Sequence, residues 1–385
     1  MIHRIAVVTI GIGLAAMIVA FLILNGFRDR VEEKIYSFSG HLLVSRISGS
    51  NAVEEAPFST GFSLMTDADS FPLIGHVQEF SHKAGLIKSR EDALGIVLKG
   101  VGASFDLNRF QEHMVAGRFI NFSDSAYAQE IVVSRMIAGR LRLNVGDEVT
   151  VHFFQYPPRA RRVRVVGMYE SNLSDYFDGK IVIADISLIR RLNDWGPDEA
   201  GGIQVYVEDP SRVDEAYLDL MDRLPFDLYV EKTRDRYIQV FEWLDLLSRQ
   251  VNILLVIILL VVCVNMISVV LILVMERTNM IGMLKALGAG DRLVRRVFYA
   301  QGVRLIFRGL MLGNAIGLGL CLVQDRFRLI RLNAQNYYMD TVPIAWSWDA
   351  VLGLNLLVFA VVSVVLMVPV LLIARISPVE AIRFD

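Results

Sequence analysis

The sequence predicts an α-helical integral membrane protein with four transmembrane helices and a large α+β domain of two subdomains inserted between helices 1 and 2. Three observations predict this fold class. Hydrophobic residues make up 54% of the 385 residues, and the mean hydropathy of +0.45 is too high for an ordinary soluble enzyme. Four stretches without Asp, Glu, Lys or Arg have the length of a membrane span. Residues 28–249, of mixed composition, separate the first two of these stretches.

The predicted spans are residues 5–27, 250–275, 302–324 and 350–374. A helix rises about 1.5 Å per residue, so twenty-odd residues cover the roughly 30 Å apolar core of a bilayer. The third span has the shortest charge-free run, but the side chains of Arg304 and Arg308 can extend from one end of it. Its Gly309, Gly313 and Gly317 lie four residues apart, which predicts a face for close helix packing.

The basic residues of the short loops predict the orientation. Residues 277–308 carry seven Lys or Arg, whereas the loop 325–349 carries three. The first of these loops is therefore expected in the cytoplasm, together with both termini and the tail 375–385. The first apolar run exceeds the 7–15 residues usual in a signal peptide, so we expect an uncleaved span. Only His3 and Arg4 flank it, which is short for a multi-span protein and suggests a trimmed start.

The domain between the first two spans is predicted to contain two subdomains. Residues 28–103 and 199–233 are expected to form an α+β subdomain, into which a β-rich subdomain of residues 104–198 is inserted. Alternating patterns of apolar and polar residues predict strands in both subdomains. The first subdomain is also expected to contain a helix that continues outward from the first span and a helix capped by Ser211. The predicted strands are Gly85–Ser89, Leu94–Val101, Glu130–Ser134, Val149–Phe154, Arg162–Val166, Ile203–Val207 and Leu228–Glu231.

Residues 234–249 are predicted to form an amphipathic helix that leads back to the membrane. Its apolar stripe consists of Tyr237, Val240, Phe241, Leu244 and Leu247. Such a helix suits the outer membrane surface, where aromatic side chains lie at the level of the headgroups. The alternative is a helix of the domain that packs on the core of that domain.

The cytoplasmic segment 276–296 carries a second amphipathic pattern. Met280, Met283, Leu284 and Leu287 follow the spacing of one helical stripe, and Gly288 stands where a left-handed residue would end that helix. Asp291 is expected to cap a second helix. A helix this short, placed between two spans, must lie against lipid headgroups or against a partner protein.

Several kinds of chemistry have no signature in the sequence. The chain contains no GxxxxGK[ST] loop, so no nucleotide site of that type is expected. The six histidines show no HExxH or paired spacing, and we expect no metal, cofactor or catalytic residue. The net charge of −2 argues against nucleic acid as a partner. Cys263 and Cys321 lie in apolar runs and are expected to be packing residues, and Asn265 and Asn314 to bond between helices.

The stretch Asn265–Gly290 resembles the permease subunits of the type VII, or mechanotransmission, ABC transporters, the superfamily of MacB and FtsX. Within it, the sequence is most similar to the lipoprotein-releasing permeases of the LolC/LolE kind. Further similar stretches are Leu24–Lys34, His41–Val44, Tyr337–Pro343 and Ser377–Arg383.

This resemblance implies a four-span permease of the bacterial inner membrane with a two-part periplasmic domain. It also implies a cytoplasmic ATPase partner of the LolD kind, a second permease, identical or related, and a lipoprotein substrate. The ATPase would bind a coupling helix, and ATPase activity would belong to that partner. The expected interface residues are Glu276, Met280, Ile281, Met283, Leu284, Lys285, Leu287 and Gly288. The alternatives are an FtsX-like signal transducer that regulates a periplasmic enzyme and a MacB-like efflux permease.

Two departures from the family pattern stand out. The cytoplasmic stretch usual before the first span is missing here. The loop Gln155–Arg161 is short where one family subunit has a longer hook that recruits a periplasmic lipoprotein chaperone, so contact of this chain with the chaperone stays open.

The expected path for the acyl chains of a lipoprotein lies at the outer membrane surface, because acyl chains prefer lipid and the protein part prefers water. The residues of this path share an apolar character and lie on the first two spans and the amphipathic helix. They are Ile18, Phe21, Leu22, Phe241, Leu244, Ile253, Ile257 and Leu260. Each of them could equally face bulk lipid or pack within the protein.

Overall fold

The structure, a computed structural model, describes residues 2–46, 54–61, 63–66, 71–89, 92–122, 127–173, 177–332, 337 and 339–372. Its helices are α1 (Ile2–Ser39), α2 (Ser63–Thr66), α3 (Leu107–Gln111), α4 (Arg135–Leu141), α5 (Phe177–Lys180), α6 (Ile186–Asn193), α7 (Val213–Arg223), α8 (Thr233–Arg236), α9 (Ile238–Glu276), α10 (Thr278–Ala286), α11 (Asp291–Phe327), α12 (Trp348–Val365) and α13 (Met367–Leu372). Its strands are β1 (Leu42–Arg46), β2 (Phe58–Ser59), β3 (Ile74–Lys88), β4 (Ala93–Val101), β5 (Met114–Gly117), β6 (Glu130–Ser134), β7 (Glu148–Phe153), β8 (Arg159–Tyr169), β9 (Ile181–Asp185), β10 (Glu199–Ala200), β11 (Gly202–Val207) and β12 (Leu228–Lys232).

The chain forms two compact units. The membrane unit consists of Met1–Arg30, Glu242–Arg331 and Thr341–Asp385. The sheet unit consists of Val31–Phe241 and Leu332–Asp340.

Four helical segments within the described residues are long and apolar enough to cross a membrane. They are His3–Ser39, Ile238–Glu276, Asp291–Phe327 and Trp348–Leu371, with mean hydropathies of 2.8, 3.2, 1.8 and 2.8 over their most apolar windows. Each contains or overlaps one predicted span. The predicted tail and the motif Ser377–Arg383 lie outside the described residues.

The glycine stripe of the third span packs against α1 in the membrane unit. A Cβ atom on Gly313 would lie 2.8 Å from the carbonyl oxygen of Gly11, and one on Gly309 would lie 2.7 Å from the Ile10 side chain. On Gly317 it would lie 3.1 Å from Ala15 Cα. Only glycine allows the two helix backbones to approach this closely, as the four-residue spacing predicted.

Asn265 and Asn314, the two asparagines expected to bond between helices, behave differently. Asn314 Nδ2 donates a hydrogen bond of 2.7 Å to Asn355 Oδ1, and Asn355 returns one of 3.0 Å, so α11 and α12 are joined as expected. The same prediction is wrong for Asn265. Its amide donates to the Val261 carbonyl oxygen of its own helix at 3.0 Å, because the side chain is on an exposed face and reaches no other helix among the described residues.

Most strands of the sheet unit belong to one large sheet in the order β12-β1-β11-β3-β4-β9-β6-β8-β5. Strand β7 pairs with both β3 and β8, which closes β3, β4, β9, β6, β8 and β7 into a ring. The interior of this ring is a hydrophobic core. It includes Ile87, Leu98, Ile131, Val133, Val151, Phe153, Val165 and Val182. The 104–198 region therefore completes a small barrel that shares the β3–β4 hairpin with the rest of the sheet.

A second hydrophobic core lies where α7 covers β1, β11 and β12. Its members include Leu42, Val44, Ile203, Val205, Ala216, Leu220 and Val230. The prediction that Ser211 caps the following helix is wrong. Asp209 accepts the Ser211 backbone N–H at 2.9 Å and starts a 3-10 turn, Pro210–Arg212, from which α7 continues. The carboxylate of Asp209, immediately before the turn, thus takes the capping role.

Local signals account for several elements of the barrel. Ser134 ends β6 and accepts the Ile137 N–H at 3.0 Å, which starts α4 as a capped helix. Arg142 ends α4 in the left-handed region, with φ of 53°. Together with the four spans, the sheet and its helices confirm the predicted fold class.

Candidate functional site

The helix α10 presents most of its apolar stripe outward. Met280, Met283, Leu284 and Leu287 have exposed fractions of 40%, 61%, 41% and 81%. Ile281 lies on the opposite side and is fully buried in the hydrophobic core of the membrane unit. One face of this nine-residue helix is therefore anchored in the membrane unit, while the other, together with Leu287 at the C-cap, displays four large apolar side chains.

The turn after α10 is a Schellman motif. The Ala289 N–H donates to the Leu284 carbonyl oxygen at 2.9 Å, and the Gly288 N–H donates to the Lys285 carbonyl oxygen at 3.0 Å. Gly288 adopts a φ of 91°, as its position in the sequence predicted. These bonds satisfy carbonyl groups that the helix end would otherwise leave unpaired.

Asp291 does not cap the following helix, contrary to the prediction. Gly290 occupies the capping position without a side-chain bond, and Asp291 is the first residue of α11. Its carboxylate instead forms an ion pair of 2.9 Å with Lys285 Nζ. The predicted second short helix and the third span are one continuous helix, so the arginines after Asp291 lie on its first turns.

Not all eight expected interface residues reach the surface. Glu276 and Gly288 are exposed, like the four residues of the apolar stripe. The Lys285 side chain is only 9% exposed because it folds onto Asp291. Ile281 is a core residue. The exposed apolar surface of this segment therefore consists of Met280, Met283, Leu284 and Leu287, which we call the coupling stripe.

The eight residues of the expected acyl path do not form one surface. Ile18 and Leu22 are fully buried in the core of the membrane unit, and Phe21 is half-buried. Close packing of α1 onto the glycines of α11 explains why these side chains are enclosed rather than offered to lipid. On α9, Ile253, Ile257 and Leu260 are exposed, with fractions of 61%, 53% and 60%.

The two residues of the expected acyl path that lie on the amphipathic helix, Phe241 and Leu244, are buried as well. Phe241 is 2% exposed and packs on Tyr36 of the sheet unit, with ring centroids 5.9 Å apart. Leu244 is also 2% exposed. These contacts favour the alternative in which this stripe packs on protein rather than lying on the membrane.

Two family descriptions match the chain. The MacB-like periplasmic core domain matches residues 5–221, and the FtsX-like permease C-terminal region matches residues 252–378. The chain belongs to the permeases built from these two parts. The first match covers more than half of the sequence, and the second contains the coupling stripe.

Curated relatives of this permease extend over nearly its whole length. The lipoprotein-releasing system transmembrane protein LolC of Haemophilus influenzae is 24% identical, over 100% of this chain and 94% of the relative. LolE of the same organism is 21% identical, over 99% and 94%. The crystal structure of the periplasmic region of MacB from Actinobacillus actinomycetemcomitans aligns with 52% of this chain and 92% of its own length, at 15% identity and a TM-score of 0.35.

A buried polar cluster of the permease was missed at the sequence level. Lys99 on β4 and Gln204 on β11 both donate hydrogen bonds to the carbonyl oxygen of Phe38, the Gln204 bond at 3.0 Å. Tyr206 donates to the Ser37 carbonyl oxygen at 3.1 Å. The last carbonyl groups of α1 thus accept hydrogen bonds from side chains of the sheet. The ammonium group of Lys99 lies at the C-terminal end of the helix, which carries the negative end of the helix dipole.

Only a weak signal could have revealed this cluster. Lys99 interrupts an apolar run, Ile96–Val101, and alternation alone would place such a residue on a solvated face. In the structure it is 5% exposed, because α1 covers that face of the sheet. Burial, with the nearby charge of Arg236 acting in the same direction, lowers the pKa of Lys99 to about 7, while Glu55 acts against this shift.

Proposed function

We propose that this chain is the permease subunit of an ABC transporter that releases lipoproteins from the bacterial inner membrane. The exposed coupling stripe is the observation that carries the transporter assignment, because a chain without a GxxxxGK[ST] loop has to obtain ATP-driven motion from a partner. The lipoprotein substrate is inferred from the lipoprotein-releasing relatives, which align over almost the full chain.

The ATPase subunit would bind the coupling stripe from the cytoplasm. Burying four exposed apolar side chains supplies a favourable contact, at roughly 25 cal/mol per Å² of apolar surface removed from water. The Schellman turn and the Lys285–Asp291 pair hold α10 in a fixed relation to α11. Movement of the partner would therefore be transmitted to the third span directly and, through Thr278 and the end of α9, to the second span.

The orientation that fits this assignment places α10 and both termini in the cytoplasm and residues 28–249 in the periplasm. The seven basic residues of 277–308 against three in 325–349 support it. A second permease, identical or related, would complete the membrane part, as LolC and LolE are both named among the relatives.

The exposed face of α9 is the best remaining candidate for the acyl path. Ile253, Ile257 and Leu260 recur on one side of the helix and are each more than half exposed. A photo-crosslinker at Ile257 is expected to capture lipoprotein before ATP addition and to lose it afterwards. The same crosslinker at Ile18, which is buried in the membrane unit, is the matched control and should capture none.

Reconstitution would test the function as a whole. Proteoliposomes containing this chain, its ATPase partner and any second permease would be given a triacylated lipoprotein and ATP. We expect the lipoprotein to be released into the soluble fraction. Release should not occur without ATP, nor when the substrate protein lacks its acyl groups. Assembly with ATPase activity but no release would favour the FtsX-like signal transducer, and ATP-driven loss of a small amphiphilic compound from the vesicles would favour the MacB-like efflux permease.

A further inference from the structure

A cavity of about 250 Å³ lies inside the sheet unit beside the Lys99 cluster. It is smaller than the roughly 300–1,000 Å³ typical of pockets for drug-sized ligands. Its apolar wall is largely aromatic. This wall consists of Phe38, Leu43, Phe80, Phe177, Ile181 and Tyr237.

Two cations line the cavity at its polar side. Lys99 is 5% exposed, and its two described hydrogen bonds, to the Phe38 carbonyl and to Gln204 Oε1 at 3.3 Å, use two of its three N–H donors. Arg236 is more open, and its nearest carboxylate oxygen, from Glu231, lies 3.4 Å away. The histidine of the lining, His82, already pairs with Glu55 at 2.7 Å.

Lys99 has no carboxylate within ion-pair distance among the described residues. A buried cation without a counterion is costly, and an anion that enters the cavity would reduce that cost while forming charge-assisted hydrogen bonds. The aromatic wall would at the same time bury an apolar body. The site thus combines a charged end with an apolar chamber too small for a complete diacyl lipid.

We propose that this cavity binds a small amphiphilic carboxylate, with its charged end at Lys99 and Arg236 and its short apolar chain against the aromatic wall. Octanoate is a suitable probe because it has both parts. The full-length protein in lipid nanodiscs would be dialysed to equilibrium against radiolabelled octanoate, and the uptake of empty nanodiscs would be subtracted.

Saturable binding of one octanoate per chain is expected. Octan-1-ol, which keeps the chain but not the charge, and inorganic phosphate, which keeps an anion without a chain, should each displace it at least about tenfold less well than unlabelled octanoate. Displacement by phosphate as effective as by octanoate would overturn the amphiphilic ligand. The absence of saturable binding at millimolar octanoate would overturn the site itself.

Two variants locate the site. Lys99→Met removes the buried charge and should weaken octanoate binding about tenfold or more, the usual effect of losing a hydrogen bond to a charged group. Ile181→Phe fills the apolar chamber, leaves Lys99 in place and should abolish binding, so the test survives if Lys99→Met does not fold. Leu218→Phe, at a 63% exposed residue outside the cavity, is the control. Unchanged affinity in Ile181→Phe would assign the octanoate to another place.

Discussion

Lys285 and Asp291 form an ion pair of 2.9 Å across the turn that joins α10 to α11. The Asp291 side chain is 46% exposed, so the pair contributes at most about 1 kcal/mol to stability. Because the pair links the two sides of this turn, we expect it to act mainly on the angle at which the coupling stripe is presented.

The first prediction concerns this pair. Asp291→Asn should leave folding and ATPase co-purification nearly unchanged but lower the amount of lipoprotein released per ATP hydrolysed by about twofold to fivefold, an effect of roughly 0.4–1 kcal/mol. The exchange Lys285→Asp with Asp291→Lys should restore most of the loss, since the charges again attract. If the double variant is no better than the single ones, the pair does not set the angle.

The second prediction concerns the coupling stripe. Leu284→Asp places a carboxylate in the expected apolar contact, where an unpaired buried charge costs several kcal/mol. Co-purification of the ATPase subunit should fall by more than about tenfold, while membrane insertion persists. Asn279→Asp adds the same charge to an exposed polar residue of α10 and is the control. Equal retention of the ATPase by both variants would remove Leu284 from the interface.

The glycine stripe gives a third prediction. A methyl group on Gly313 would meet the Gly11 carbonyl oxygen at 2.8 Å, a contact with backbone that cannot move aside easily. Gly313→Ala should therefore destabilise the membrane unit by about 1–3 kcal/mol. Gly319, on the same helix, has nothing within 4 Å of the added Cβ, and Gly319→Ala should be tolerated. Thermal unfolding in detergent compares the two, and equal melting temperatures would contradict the close packing.

The fourth prediction is the orientation. Single cysteines at Asp198 and Asn279, both exposed, would be introduced after Cys263 and Cys321 are replaced by alanine. A membrane-impermeant thiol reagent added to intact cells with a permeable outer membrane should label position 198 and leave position 279 unlabelled. The reverse pattern would invert the topology. Ser125, an obvious loop position by sequence, lies outside the described residues.

The sequence predicts the features that depend on local patterns. Span positions, the strand Glu130–Ser134 and the turn at Gly288 all follow from spacing within a few residues. It fails where the answer depends on a partner far along the chain. Nothing near Ile18 shows that the glycines of α11 will enclose it, and nothing near Lys99 shows that the end of α1 will cover it. Asp291 is a local exception: Gly290 occupies the capping position, Asp291 is already the first residue of α11, and its carboxylate pairs with Lys285.

The last prediction concerns the pH dependence that Lys99 gives to the sheet unit. The pKa of Lys99 is about 7 in the folded protein, lowered chiefly by burial, against 10.5 for an ordinary lysine. Between these two values the unfolded chain binds more protons than the folded one, so the contribution of Lys99 makes the free energy of unfolding rise with pH. The slope is at most about 1.4 kcal/mol per pH unit, and it vanishes below pH 7, where both states are protonated.

Lys99→Met removes the ammonium group and keeps the other ionisable residues of the sheet unit, so the difference between the two proteins reports on Lys99 and its interactions with Arg236 and Glu55. Hydrogen exchange of the peptide that covers β4 would be measured at pH 6, 7.5 and 9, with rates corrected for the intrinsic effect of pH. The stability of the wild type relative to the variant should be constant up to about pH 7 and should then increase towards pH 9. Parallel curves over the whole range would show that the ammonium group is not desolvated in the folded protein. This result would contradict a buried, unpaired cation beside the cavity.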